Sequence, residues 1–105
     1  MKDIIKMQSE TYKTFSNPAR LHIVKLLCEN EMNASELIKE TGVSKANLSQ
    51  HMGILVQHGV VNSRKEGVHV YYSISDAKIR KACLLMQEFL VDSIKKKNAM
   101  IDRAM

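Results

Sequence analysis

The sequence has few of the residues and segments that mark a secreted or membrane protein. It contains two cysteines, fifty-five positions apart, which is too few for a disulfide framework and indicates a reducing compartment. No apolar run approaches the roughly 20 residues of a spanning helix, and the first ten residues lack the apolar core of a signal peptide. We therefore expect a cytoplasmic protein that does not interact with membranes.

Recognisable catalytic patterns are missing as well. The chain shows no nucleophile beside a base, no paired carboxylates, no glycine loop for phosphate and no metal triad. It also has no repeat, linker or low-complexity segment, and proline and glycine are scarce enough to serve as markers of element boundaries. We expect no enzymatic activity and no cofactor.

The charge is unevenly distributed along a chain of 105 residues, which is the length of one domain. Residues 1–43 hold six basic and six acidic groups, so their charges cancel. Residues 44–105 hold ten basic and five acidic groups, which accounts for the whole net charge of +5. A basic half beside a neutral half favours an anionic partner, most often nucleic acid.

The first half of the chain reads as helices. The amphipathic segment at about 3–15 predicts a first helix. Asn17 followed by Pro18 is typical of a helix start, because Asn is a good N-cap and Pro suits the first helical position. Spacings of three and four then predict a buried stripe on this second helix, made of Leu21, Val24, Leu27 and Cys28.

Residues 34–57 match a helix-turn-helix. Asn33 with Glu36 three positions later is a capping box that predicts a third helix, which ends at Gly42. Ser44 caps the fourth helix, whose apolar positions keep helical spacing: Leu48, Met52 and Leu55.

The period then switches to that of strands. Val68, Val70, Tyr72 and Ile74 alternate with other residues, and the segment from Val60 to Lys65 is predicted to pair with them through a turn at Glu66-Gly67. Helical spacing returns at about 76–97 and ends in three lysines. We predict one winged helix-turn-helix domain over residues 1–105, mainly α with a two-stranded β-wing at about 60–74.

The fourth helix has an exposed face of unusual composition. Because Leu48 and Met52 must face the core, small and amide side chains are left toward solvent, and these side chains can bond base edges or touch a thymine methyl. The helix N-terminus also suits a phosphate. The predicted DNA contacts here are Ser44, Lys45, Ala46, Asn47, Ser49, Gln50 and His51. On the hairpin, the predicted contacts to phosphate or the minor groove are Arg64, Lys65 and His69.

Three strings in this order resemble the ArsR/SmtB-type winged-helix repressors, over about residues 12–89. They are Asn17-Pro18-x-Arg20-Leu21, Leu48-Ser49-Gln50-His51-Met52 and Gly59-Val60-Val61-x-x-Arg64-Lys65-Glu66-Gly67-x-x-Val70-Tyr71-Tyr72. The resemblance implies a homodimeric transcriptional repressor that dimerises through its first and last helices. It further implies recognition helices in successive major grooves of a pseudo-palindromic operator, wings on the flanking backbone, and a signal that weakens DNA binding.

The metal sites of that family are not matched. Where one site has cysteines, this chain has Asn33 and Ser35, which are poor ligands for soft metals. Where another has histidines, it has Lys78 and Phe89, although Asp76 is present. We therefore expect no bound metal at either position.

The two cysteines leave the sensing mechanism open. A metal-free branch of the family senses persulfides or oxidants through one cysteine on the second helix and one on the last, which makes Cys28 and Cys83 a possible thiol switch. Both are displaced along their helices from the positions that this branch uses, and both lie on apolar stripes where a cysteine can be plain packing. Ligation of a soft metal by thiolates across a dimer is a third reading.

One other function remains open. A winged helix can serve as a protein-interaction module without sequence-specific DNA binding, and an acidic or apolar face on the fourth helix would indicate it. This chain shows neither on that helix.

Overall fold

The computed structural model describes residues 1–104 and shows a mainly α winged helix-turn-helix, which confirms the predicted fold class. It consists of five helices and a small antiparallel sheet. The elements are α1 Lys2–Phe15, α2 Pro18–Glu29, β1 Met32–Asn33, α3 Ala34–Thr41, α4 Lys45–Gln57, β2 Val61–Glu66, β3 His69–Ile74 and α5 Ala77–Ala104.

The predicted helix caps are confirmed. The side chain of Asn17 accepts a hydrogen bond from the backbone N–H of Arg20 at 3.1 Å, with Pro18 at the first helical position. Asn33 and Glu36 form both halves of the capping box, at 2.9 and 3.1 Å. These local bonds fix where α2 and α3 begin.

The core lies where α2, the helix-turn-helix and the base of the wing meet. Its fully buried members are Ile23, Val24, Leu27, Leu37, Leu48, Met52, Leu55, Val60 and Val61. The predicted stripe on α2 was wrong at Leu21, which is 37% exposed. The buried side of α2 is centred on Ile23, Val24 and Leu27, and Leu21 lies roughly 100° around the helix from that centre.

The sheet has three strands, so the prediction of two was wrong. β1 pairs antiparallel with β3, which also pairs with β2, and this gives the order β1-β3-β2. A strand of two residues is too short to show alternation, and the sequence marked Asn33 only as a helix cap. β1 ties the wing to the segment between α2 and α3.

The hairpin turn is displaced by one residue from its predicted position. Glu66 pairs with His69, so the turn consists of Gly67 and Val68. Gly67 has φ 62°, a value that a two-residue hairpin turn needs and that glycine adopts without strain. Val68 was predicted in a strand, but it lies at the tip and is 90% exposed.

The last helix is longer than predicted. α5 continues to Ala104, and its three consecutive lysines lie inside the helix instead of at its end. The residues after them contain no proline or glycine that would stop the helix, so the lysine run was a misleading end signal. Of the helices in residues 1–104, none combines the length and the hydropathy needed to cross a membrane.

Candidate nucleic-acid interface

The N-terminal half of α4 presents a polar face with a single charged residue. Leu48 and Met52 are buried, and of the side chains between and before them all but the half-buried His51 are exposed, as the helical spacing predicted. The exposed residues are Lys45, Ala46, Asn47, Ser49 and Gln50. We call these five residues the reading face. Apart from Lys45 it carries no charge, so its bonding capacity consists of amide and hydroxyl groups.

The start of α4 presents hydrogen-bond donors that have no partner within the helix. The hydroxyl oxygen of Ser44 accepts the backbone N–H of Asn47 at 3.1 Å, which leaves the Ser44 O–H able to donate outward. The backbone N–H groups of Lys45 and Ala46 have no acceptor within the helix, because they belong to its first turn. Together with the Lys45 side chain, these groups give the helix start several donors and a positive end.

His51 lies beside the reading face and is half-buried. Its ring atom Nδ1 is buried and has no hydrogen-bond partner within residues 1–104. The other ring nitrogen, Nε2, is therefore the atom through which His51 can bond a group outside the protein. This orientation suits a donor to a phosphate or a base edge.

Arg64 on the wing is held by three neighbours. Its guanidinium donates two hydrogen bonds to the carboxylate of Glu31, at 2.6 and 3.1 Å, and a further one to Glu66. The same group lies 4.5 Å from the centre of the Tyr71 ring. Arg64 lowers the pKa of Glu31, chiefly through the hydrogen bond, and these carboxylates raise the pKa of Arg64. The predicted phosphate contact is thus already paired with acid groups.

The other predicted wing residues lie on both sides of the hairpin. Arg64 pairs with Tyr71 and Glu66 with His69 across the strands, so all four share one face. Lys65 alternates to the opposite face and makes no ion pair within residues 1–104. His69 is exposed and contacts the Tyr71 ring edge-on, at 6.3 Å between centroids.

Glu31 belongs to this site, and the sequence did not point to it. It lies thirty-three positions before Arg64 and reaches it only because β1 adds to the sheet beside β3. Since β1 left no periodic signal, no feature of the sequence indicated this contact.

The two cysteines lie together at the contact between α2 and α5. Both are half-buried free thiols, and both line an open cavity of about 210 Å³. The cavity is lined by Lys25, Cys28, Glu29, Arg80, Cys83, Leu84 and Gln87. Burial raises the pKa of both thiols, and for Cys28 the neighbouring Cys83 raises it further. The structure therefore brings the two sulfur atoms into one pocket and keeps them protonated at neutral pH.

No metal centre is visible in the part of the chain that the structure describes. Across residues 1–104, no group of three His, Cys, Asp or Glu side chains is placed to hold an ion. Both free cysteines point into the same cavity, but neither has a histidine among the residues that line it.

Comparison with known proteins identifies relatives that cover three quarters or more of the chain. It is 31% identical over 100 residues to the HTH-type transcriptional regulator Rv0081 of Mycobacterium tuberculosis, which covers 94% of this chain and 88% of that protein. It is 37% identical over 81 residues to the HTH-type transcriptional regulator MJ1325 of Methanocaldococcus jannaschii, which covers 76% of this chain and 91% of the other.

Solved structures agree with these sequence matches. The crystal structure of Rv0081 superposes with a TM-score of 0.84 at 32% identity and covers 90% of this chain and 95% of that one. The homodimeric winged helix-turn-helix DNA-binding domain of Mb0332 from Mycobacterium bovis has the same fold, with a TM-score of 0.83 at 23% identity, covering 90% and 88%. The model of the "bacterial regulatory protein, arsR family" matches residues 17–63, which span α2 to the start of β2. The chain belongs to the arsR family of bacterial transcriptional regulators.

Proposed function

We propose that this arsR-family transcriptional regulator binds operator DNA as a homodimer in the cytoplasm and represses transcription there. The observation that carries the proposal is the reading face on α4, where exposed amide and hydroxyl side chains follow a capped helix start. A helix of this kind fits the major groove of B-DNA, whose base edges present donors and acceptors at that depth.

Four exposed side chains of α4, two of them amides, are assigned the contacts to bases. Asn47 and Gln50 are exposed and can each bond an adenine edge with two hydrogen bonds. Ser49 can bond several bases, and the methyl group of Ala46 suits a thymine methyl. These four residues provide the sequence preference.

Backbone contacts come from the helix start and the wing. Ser44, Lys45 and His51 lie where α4 meets the groove wall, and the wing supplies Lys65, His69 and Arg64 to the flanking phosphates. Each phosphate neutralised releases condensed counterions, so DNA binding weakens steeply as salt rises.

Dimerisation would cover apolar surface that the single chain leaves exposed. α1 exposes Ile4, Ile5 and Tyr12, and α5 exposes a longer row: Leu84, Leu85, Met86, Phe89, Leu90, Val91 and Ile94. Exposed apolar patches of this extent mark an interface. A two-fold axis through α1 and α5 would place two copies of α4 on one side, and a pseudo-palindromic operator follows from that symmetry.

The thiol pair is the proposed signal site. The thiolate of one cysteine attacks hydrogen peroxide, which yields a sulfenic acid and a hydroxide that takes up the proton lost by the thiol to give one water. The second thiol then displaces a second water to form the Cys28–Cys83 disulfide. Two protein thiols are oxidised and one peroxide is reduced to two waters. The disulfide would fix the position of α2 against α5. Because α2 also packs on α3 and α4, a shift of α2 would move the reading face on α4.

Fluorescence anisotropy on DNA from upstream of the protein's own gene tests the proposal. Reduced protein should bind this DNA more tightly than scrambled DNA of the same length, and peroxide should weaken binding until dithiothreitol restores it. Because both thiols have a raised pKa, loss of binding should quicken as pH rises from 7 to 9.

The variant Cys28→Ser is the matched control for the signal. It should bind DNA like the unmodified chain and keep binding after peroxide. If the unmodified chain keeps its affinity under peroxide, the cysteines are packing residues and the thiol switch is wrong. If reduced protein shows no preference for any operator, the proposal of sequence-specific DNA binding is wrong.

A further inference from the structure

Arg64 reaches across the sheet to an acid group on the far side. It starts from β2, its guanidinium lies over Tyr71 of the middle strand β3, and it ends at Glu31, one residue before β1. The two bonds to Glu31 run from Nε and Nη2 of the guanidinium, one to each carboxylate oxygen, while Nη1 bonds Glu66. This is the paired geometry in which arginine also holds a phosphate.

The acid groups cancel the charge of the wing. Arg64 and Lys65 contribute two positive charges, and Glu31 and Glu66 contribute two negative ones, so the group as a whole is neutral. A neutral wing attracts a phosphate backbone less than the two basic residues alone would.

The pair with Glu31 is open to exchange. The side chains of Arg64 and Glu31 are 50% and 39% exposed, so water and ions screen their attraction. Exposed ion pairs contribute only about 0.2–1 kcal/mol. A phosphate brought alongside by α4 can therefore replace Glu31 at small cost.

We propose that Glu31 competes with DNA for Arg64: it occupies the guanidinium in the free protein and gives way to a backbone phosphate in the complex. This inference rests on the proposed DNA binding. It assigns to Glu31 the role of setting how strongly the wing binds DNA, independent of base sequence. Without this competitor, the Nε and Nη2 side of the Arg64 guanidinium is available to phosphate from the outset, while Nη1 stays bonded to Glu66.

The test is a double-mutant cycle measured by anisotropy. Glu31→Gln keeps the size of the side chain and removes its charge. It should lower Kd by about two- to fivefold for each wing at low salt, which corresponds to the range for one exposed pair. The gain should be equal on operator and on scrambled DNA, because phosphates carry no sequence information.

Arg64→Gln should raise Kd on both DNAs and reduce the slope of log Kd against log salt by about 0.9 for each wing. The double variant should bind like Arg64→Gln alone, because Glu31 acts only through that arginine. Glu10→Gln on α1 is the matched control, since it makes the same charge change at an exposed carboxylate of another element. Unchanged thermal unfolding shows that each variant is folded.

Different results would overturn the DNA binding and the competition of Glu31 for Arg64. If the unmodified chain prefers its operator but Glu31→Gln binds as before or more weakly, the competition is wrong and DNA binding stands. An equal gain with Glu10→Gln also overturns it, because the effect is then one of net charge. If no variant prefers any DNA, both the function and the inference are wrong.

Discussion

Gln50 is the residue at which base reading can be separated from backbone binding. It is exposed on α4, and as a neutral amide it can read a base edge but adds little to phosphate binding. Gln50→Ala should therefore raise Kd on the operator by about 5- to 150-fold, equivalent to roughly 1–3 kcal/mol, with little change on scrambled DNA. Anisotropy with operators altered at single base pairs should locate the loss at one or two of them.

The control is Gln57→Ala, which removes the same group at the other end of α4. It should leave Kd unchanged on both DNAs. Equal weakening of Gln50→Ala on every sequence would show that Gln50 does not read bases.

The sequence predicted which residues of α4 are exposed, because their exposure depends on local spacing. Once Leu48 and Met52 are assigned to the core, a helix of 3.6 residues per turn determines which neighbours face outward. The partners of Arg64 depend instead on sheet order, since Glu31 comes near only when β1 joins β3. Such contacts between distant residues carry no periodic signal, so the sequence suggested a free phosphate contact.

Among the elements, α4 and the wing each contain a glycine whose replacement should have opposite effects. Gly53 lies inside α4, and a Cβ added there would meet no atom within 4 Å. A Cβ at Gly67 would also meet no atom, but the backbone there has φ 62°, which residues other than glycine rarely adopt. Gly53→Ala should stabilise the fold by about 0.5–1 kcal/mol, because alanine favours the helix. Gly67→Ala should destabilise it by about 1–2 kcal/mol through backbone strain.

Urea unfolding followed by circular dichroism checks both changes. Gly67→Asn is the control for the turn, since Asn tolerates positive φ, and it should lose less stability than Gly67→Ala. A destabilising Gly53→Ala would mean that α4 meets a neighbour in the free protein that the single chain does not show.

At the scale of elements, the sequence predicted what side-chain caps and periodicity determine. Asn17, Asn33 and Ser44 mark helix starts because their oxygens bond the first N–H groups, and all three do so in the structure. No cap residue marks the end of α5 in the sequence, and the three consecutive lysines predict an end that lies too early. β1 has only two residues, and no period can appear in two positions.

In the single chain, α5 makes no apolar contact with the core along most of its length. None of its residues is fully buried, and only its first turns pack on the core, through Ile79 and Cys83. Phe89 is 64% exposed although it lies in the middle of the helix. A helix of 28 residues with this surface is unlike a solvated helix and is typical of one half of an interface.

Phe89→Asp should therefore separate the proposed dimer without unfolding the chain. It introduces a charge into the apolar row, where a partner copy would bury it unpaired at a cost of several kcal/mol. Sedimentation velocity should show the unmodified chain at twice its mass of 11.9 kDa and the variant at the single mass. The variant should also bind a full operator no more tightly than a half-site, because the two copies of α4 are no longer joined.

Lys95→Asp places an aspartate on the same helix, on the side that carries Glu88 and Asp92 and roughly 120° around it from Phe89, so this variant should remain a dimer. Circular dichroism should show equal helix content in both variants, since neither residue belongs to the core. An unmodified chain that sediments as a monomer at micromolar concentration would contradict the dimer. The apolar row on α5 would then need a different partner, and two-fold symmetry of the operator would no longer be expected.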